Sequence, residues 1–169
     1  FVALVQKGQS LNLDYAKAYG CDLLWTESSF SPTVFRKAIA EKGVEVIMTE
    51  LGGEGRCHPE NVAYEFRGLK NLLKFLNIVE GKPEGLPSKY LLGEGFWMHS
   101  QAGGIFRSNL HLRQEVKKGE TLGVIYNLLD QELEVIRAPY DGIIIGYRTV
   151  PRIYPGDWTV WVGKIIKEI

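Results

Sequence analysis

Two runs in the second half of the chain follow one script. Gly104-Ile105 opens a run that reaches "VKKGE" at Val116–Glu120, and Gly142-Ile143 opens another that reaches "IYPGD" at Ile153–Asp157. Each copy reads as strand, loop, a turn of the form apolar-x-x-Gly-acid, and strand. The glycine permits the tight turn, and the acid after it can accept hydrogen bonds from turn amides. Two such copies predict a β-sandwich with pseudo-two-fold symmetry. The flanking segments "YLLGEGFWMHS", "TLGVIYNLL", "ELEVIRAP" and "DWTVWVGKIIKEI" are short, β-rich and bounded by glycine, so this half is all-β.

The first half has another texture. "FVALVQ" and "DLLWTE" read as strands around a short helix, Ser10–Gly20. "SPTVFRKAIAEKG" predicts a second helix, with Ser31 as cap, Pro32 in the first turn, Gly43 as exit, and Val34, Ala38 and Ile39 on its inner face. A strand over "VEVIMTEL" follows, then a glycine loop, then a longer helix from about Pro59 to Ile78. There Val62, Phe66, Leu69, Leu73 and Leu76 recur at the helical period. Alternation of this kind predicts a mostly parallel sheet covered by helices. "EGKPEGLPS" is a linker by composition. The expected organisation is α/β: residues 1–84 end a mostly parallel α/β sheet domain, and residues 85–169 form an all-β domain.

The totals exclude several classes. Twenty basic residues balance twenty acidic ones, so nothing points to a nucleic-acid or membrane partner. No apolar run approaches the ~20 residues of a membrane span. Two cysteines without a CxxC motif read as reduced thiols of a cytoplasmic protein. The chain opens with Phe1 inside a strand, which reads as the remainder of a longer polypeptide.

Glu50 stands where the apolar strand Val44–Met48 gives way to Gly52, Gly53 and Gly55. From the residues alone two readings are open: a helix-terminus or loop ion pair, or acid–base chemistry at a strand end. Cys57, His58 and Glu60 form no complete metal set, because neighbouring Cys and His diverge and no second pair completes four ligands. Arg56, in the loop, is a weaker candidate for holding a carboxylate. Arg67 reads as a surface charge, His99 and His111 as strand or surface histidines, and the four tryptophans as core.

The repeat with "APYDGII" between its halves resembles the biotinyl/lipoyl carrier fold, a barrel-sandwich hybrid. "MTELGGEGR" leading into "RGLKNLLKFLNIVEG" resembles the end of the catalytic domain of the succinylglutamate desuccinylase/aspartoacylase family, zinc-dependent deacylases related to carboxypeptidases. That family often appends such a β-domain, so one resemblance covers nearly the whole chain. It implies a zinc-dependent hydrolase that cleaves a small N-acyl amino acid or related amide. Glu50 would be the general base that takes a proton from a zinc-bound water and delivers it to the leaving amine. The family's zinc ligands, a His and a Glu of an HxxE-type motif and a later His, precede that glutamate. This chain has no HxxE and its three histidines all follow Glu50. No ligand is therefore assigned here, and zinc is expected to be bound by residues upstream of Phe1. The hairpin Tyr126–Val135 carries no lysine, so a swinging-arm carrier is not expected. The alternatives are a non-catalytic binding or assembly module and a carboxypeptidase acting on peptides. Homo-oligomerisation is open.

Overall fold

The structure is a computed structural model that describes residues 2–6, 10–27, 42, 46–84 and 88–168. The helix expected over 31–43 lies outside the described residues, Lys42 excepted. The chain divides into two compact units: residues up to Glu94 together with those from Ile166 onward, and Gly95–Ile165.

In the first unit β1 (Val2–Gln6), helix α1 (Ser10–Tyr19) and β2 (Leu23–Glu27) follow in order. Then come β3 (Met48–Glu50), helix α2 (Pro59–Phe75) and the first residues of β4 (Tyr90–His99). The strand order is β3-β1-β2-β4. β1 pairs in parallel with β2, and β2 in parallel with β4, but β3 is antiparallel to β1. The sheet is therefore mixed. Tyr90, Leu91 and Leu92 pair with Leu23, Leu24 and Trp25, so the sequence just after the linker completes the first unit's sheet.

Helix α2 starts on Pro59, whose fixed φ suits a first helical position and whose missing N–H would have had no partner there. It ends in a Schellman motif. Asn77 takes a left-handed φ of 56°, its N–H donates to the Lys74 carbonyl (3.1 Å), and the Ile78 N–H donates to the Leu73 carbonyl (2.9 Å). One face of α2 packs on α1. Gly68 lies against the Tyr19 ring with no room for a side chain: a Cβ there would stand 2.1 Å from ring Cζ. The Tyr64 hydroxyl donates to the Gly20 carbonyl (2.7 Å), and the ring of Tyr15 meets Phe75 edge-on at 5.6 Å. Ala16, Tyr19, Cys21 and Leu24 form the buried core of this unit, with Leu13, Ile47, Tyr64, Leu72 and Leu91 around it.

The second unit bears out the repeat. Its strands are the end of β4, β5 (Gly104–Arg107), β6 (Glu115–Val116), β7 (Thr121–Tyr126) and β8 (Glu132–Arg137). β9 (Gly142–Tyr147), β10 (Arg152–Ile153) and most of β11 (Trp158–Glu168) complete it. They lie in two sheets, β4-β11-β9-β6 and β10-β5-β7-β8. β5 pairs with β7 of its own copy and β10 of the other, while β9 pairs with β11 of its own copy and β6 of the other. Each copy thus lends its short middle strand to the opposite sheet, which is the pseudo-two-fold in hydrogen bonds. Both acid turns behave alike: Glu120 accepts from the Lys117 N–H (2.8 Å) and Asp157 from the Tyr154 N–H (3.0 Å), with Gly119 and Gly156 at φ 84° and 88°. Between the sheets lie Phe106, Leu110, Val116, Leu122, Ile125, Ile136, Ile144, Ile153, Val160 and Val162. Each large side chain buried this way contributes about 1.5–3 kcal/mol.

Candidate active site

Glu50 is the last residue of β3 and is exposed. Because β3 runs against β1, its carboxyl end lies beside the start of β1, with Glu50 opposite Val2. The rule that sites gather at the carboxyl ends of parallel strands therefore does not by itself single out Glu50.

The residue before it is firmly held. Thr49 Oγ1 donates to Glu65 Oε1 of α2 at 3.0 Å, tying the edge strand to the helix. The Tyr19 phenol lies in the same cluster: burial first, then the neighbouring Glu65 carboxylate, push its pKa far above the ordinary range, so it stays protonated. Thr49, Glu65 and Tyr19 form a polar knot beneath the strand end. Sequence reading missed this knot, because Thr49 and Glu65 are ordinary residues for a strand and an exposed helix turn.

From this anchor the loop 51–58 leaves the sheet. Gly52 has φ +71°, and a Cβ on it would meet Asn61 Nδ2 at 2.7 Å. Glu54 (φ 60°) and Gly55 (φ 66°) form the centre of a turn closed by the Arg56 N–H donating to the Gly53 carbonyl at 3.1 Å. Two consecutive positive φ angles make this a type I′ turn. A Cβ on Gly53 or Gly55 would find open space. Residues 52–57 of the loop are exposed.

Arg56 pairs loosely with Glu54 (3.6 Å) and is well exposed. His58 precedes α2 without a side-chain cap, 3.9 Å from Glu60 Oε1. Cys57 is an exposed free thiol and Cys21 a buried one. Among the described residues no three His, Cys, Asp or Glu side chains gather as a metal site, so these residues do not by themselves fit a zinc ion.

The other candidates fall away from this loop. His99 Nδ1 lies 2.8 Å from the Gly156 carbonyl, a position from which it donates, and His111 is exposed in a loop of the second unit. Trp25 is buried as core, but Trp158 is exposed and stacks on Trp97 at 5.3 Å, and Trp97 in turn meets Trp161 at 5.4 Å. The β7–β8 hairpin tip presents Leu128 and Leu129 to solvent, held by Asn127 Oδ1, which accepts from the Leu129 and Gln131 amides. No amine stands there to be acylated.

No protein-family model matches the chain. The N-alpha-acetyl-L-2,4-diaminobutyric acid deacetylase of Halomonas elongata is 25% identical over 165 residues, which cover 93% of this chain and 48% of that protein. A solved structure described as succinylglutamate desuccinylase/aspartoacylase from Rhodobacter sphaeroides matches with a TM-score of 0.84 at 25% identity, over 98% of this chain and 54% of that one. The chain resembles the C-terminal part of the succinylglutamate desuccinylase/aspartoacylase family. The product-bound ectoine utilization protein EutE (DoeB) of Ruegeria pomeroyi shares the fold, with a TM-score of 0.86 at 24% identity over 96% of this chain and 53% of that one. The chain spans about half the length of the curated relative it matches. Among the described residues no helix is long and apolar enough to cross a membrane.

Proposed function

We propose that this chain is the C-terminal part of a zinc-dependent hydrolase that cleaves the amide bond of a small N-acyl amino acid or related amide in the cytoplasm. The match that covers 93% of the chain, to a protein named as a deacetylase of an N-acetylated diamino acid, carries the reading. Glu50 is the general base. Its exposed carboxylate ends β3 and precedes an exposed glycine loop, and Thr49 ties that strand to α2. The carboxylate takes a proton from the attacking water and returns it to the departing amine, which leaves as a neutral species. Zinc, when bound, lowers the pKa of such a water to about 7. Its ligands belong to polypeptide upstream of Phe1 in this proposal. Arg56, exposed in the same loop, is the weaker candidate for holding a substrate carboxylate.

The test is metal analysis of the intact gene product purified without chelator, followed by a panel of N-acyl amino acids and short peptides. The expected result is about one zinc per chain and hydrolysis of N-acyl amino acids that falls by roughly 100-fold or more in Glu50→Gln. A metal-free protein that recovers no hydrolysis on adding zinc would sink the reading and favour a binding module. Preference for peptides would make it a carboxypeptidase.

A further inference from the structure

Glu50 is the last residue of a three-residue strand that stands at the edge of its sheet. The loop after it is exposed, with left-handed backbone at Gly52, Glu54 and Gly55. Ends of short edge strands open readily. A general base cannot tolerate that freedom, since a displacement of roughly 1 Å can cost about 100-fold in rate. The restraint that the structure supplies comes through the neighbouring residue. Side chains alternate along a strand, so Thr49 points to the face opposite Glu50. There its hydroxyl donates to Glu65 Oε1 at 3.0 Å.

Glu65 is itself anchored. It is partly buried on α2, three residues and so about one turn from Gly68. Gly68 takes the Tyr19 ring against its bare backbone, and the Tyr64 hydroxyl donates to the Gly20 carbonyl at 2.7 Å. These contacts fix α2 on α1. The Tyr19 hydroxyl stands in the same cluster as the Glu65 carboxylate and Thr49. What Thr49 needs from Glu65 is an acceptor oxygen at the right reach, and charge is not part of that need. Glutamine would keep the reach and lose the charge. Aspartate would keep the charge and fall one methylene short.

We propose that Glu65 is a positioning residue for Glu50: by holding the Thr49 hydroxyl it fixes the end of β3, and with it the direction from which the Glu50 carboxylate meets the attacking water. The inference rests on Glu50 being the general base. Glu65 itself touches neither the water nor the substrate.

The test uses the intact gene product, with kcat and KM measured on an N-acetyl amino acid that the wild type hydrolyses, well below the unfolding midpoint of every variant. Glu65→Asp is expected to lower kcat at least about 10-fold with KM within about two-fold of wild type. Glu65→Gln is expected to restore most of that loss. Hydrogen exchange of the peptide that spans β3 reads the same restraint without turnover. It should quicken about 10-fold in Glu65→Asp and stay near wild type in Glu65→Gln. An unchanged kcat in Glu65→Asp, an equal loss in both variants, or β3 exchange that neither alters would overturn the proposal. So would a loss confined to Glu65→Gln, since the charge would then matter and not the tie. Glu50→Gln, measured beside them, separates the two claims. If it abolishes turnover and Glu65→Asp does not lower it, the base stands and the positioning role falls. If Glu50→Gln keeps the wild-type kcat, the base reading falls and takes this inference with it.

Discussion

The side chain of Asn71 and the backbone of Glu84 exchange two hydrogen bonds. Asn71 Nδ2 donates to the Glu84 carbonyl at 2.8 Å, and the Glu84 N–H donates to Asn71 Oδ1 at 2.8 Å. A buried amide in the middle of α2 thus holds the linker segment much as a neighbouring strand would, and Nδ2 also reaches the Tyr19 carbonyl at 3.4 Å. Asn71→Leu keeps the volume and removes both bonds, leaving a backbone N–H and carbonyl without their partner. Each lost buried pairing costs about 1–3 kcal/mol. The expected loss is about 2–4 kcal/mol, read as a fall in the urea midpoint with an unchanged slope.

Gly68 offers a reversal of sign. Replacing a glycine inside a helix by alanine ordinarily stabilises it by about 1 kcal/mol. Here the new methyl would enter the Tyr19 ring, which is itself 1% exposed and has nowhere to go. Gly68→Ala is expected to destabilise by about 2 kcal/mol or more, because overpacking outweighs propensity. Gly68→Ala with Tyr19→Leu should recover part of that loss, and a double-mutant cycle reads the coupling.

Asp141 controls part of the acid limb. The Lys118 N–H donates to its carboxylate at 2.8 Å and Lys117 Nζ lies 3.2 Å away, and these hold its pKa below the usual carboxylate value, the backbone bond being the larger cause. A group depressed in the folded state adds stability above its unfolded pKa of about 3.9, and that stability is lost as pH falls through the folded value. Asp141→Asn is expected to be less stable than wild type at neutral pH, with the gap closing as pH falls below the unfolded carboxyl pKa of about 3.9. Urea midpoints across that range check it. A constant gap would mean that the loss comes from shape and not from charge.

How much of this was legible in the sequence depends on which physics set each part. The two acid turns were, because Gly119 and Gly156 must take positive φ and Glu120 and Asp157 can only accept the amides around them. The exchange of β6 and β10 between sheets follows from the same repeat. Direction within the first sheet was not legible: nothing in "MTE" tells a strand to run against β1, and that pairing puts Glu50 at the end of the sheet opposite to the one the parallel rule favours. The stripe on α2 was visible as a period, but a period cannot say which of two apolar-compatible faces meets α1. Gly68 and Asn71 settle that, since only a bare backbone admits the Tyr19 ring and only an amide satisfies Glu84.

The two cysteines should separate cleanly. Burial, and then the charge of Asp22, push the Cys21 thiol far above its ordinary range, so almost no thiolate forms at neutral pH and no reagent reaches it. Cys57 is exposed in the loop. One thiol per chain is expected to react with a disulfide reagent in the native protein and two in denaturant. Fast reaction at Cys21 in the native state would mean that the α1–β2 core opens far more readily than its packing implies.

Thr49 and Glu50 are neighbours with opposite expected phenotypes. Glu50 is exposed at the end of an edge strand, so Glu50→Gln should change stability by less than about 0.5 kcal/mol. If Glu50 is the proposed general base, the effect falls on catalysis alone, in kcat rather than KM, because such a base acts in the transition state. The Thr49 hydroxyl instead donates to Glu65 beside the Tyr19 phenol. Thr49→Val removes that donor while keeping the shape and should cost about 1–2 kcal/mol. Thermal unfolding and steady-state kinetics on the intact gene product read the pair together. A Glu50→Gln protein that loses stability as Thr49→Val does would make Glu50 a structural carboxylate and leave the loop without its proposed base.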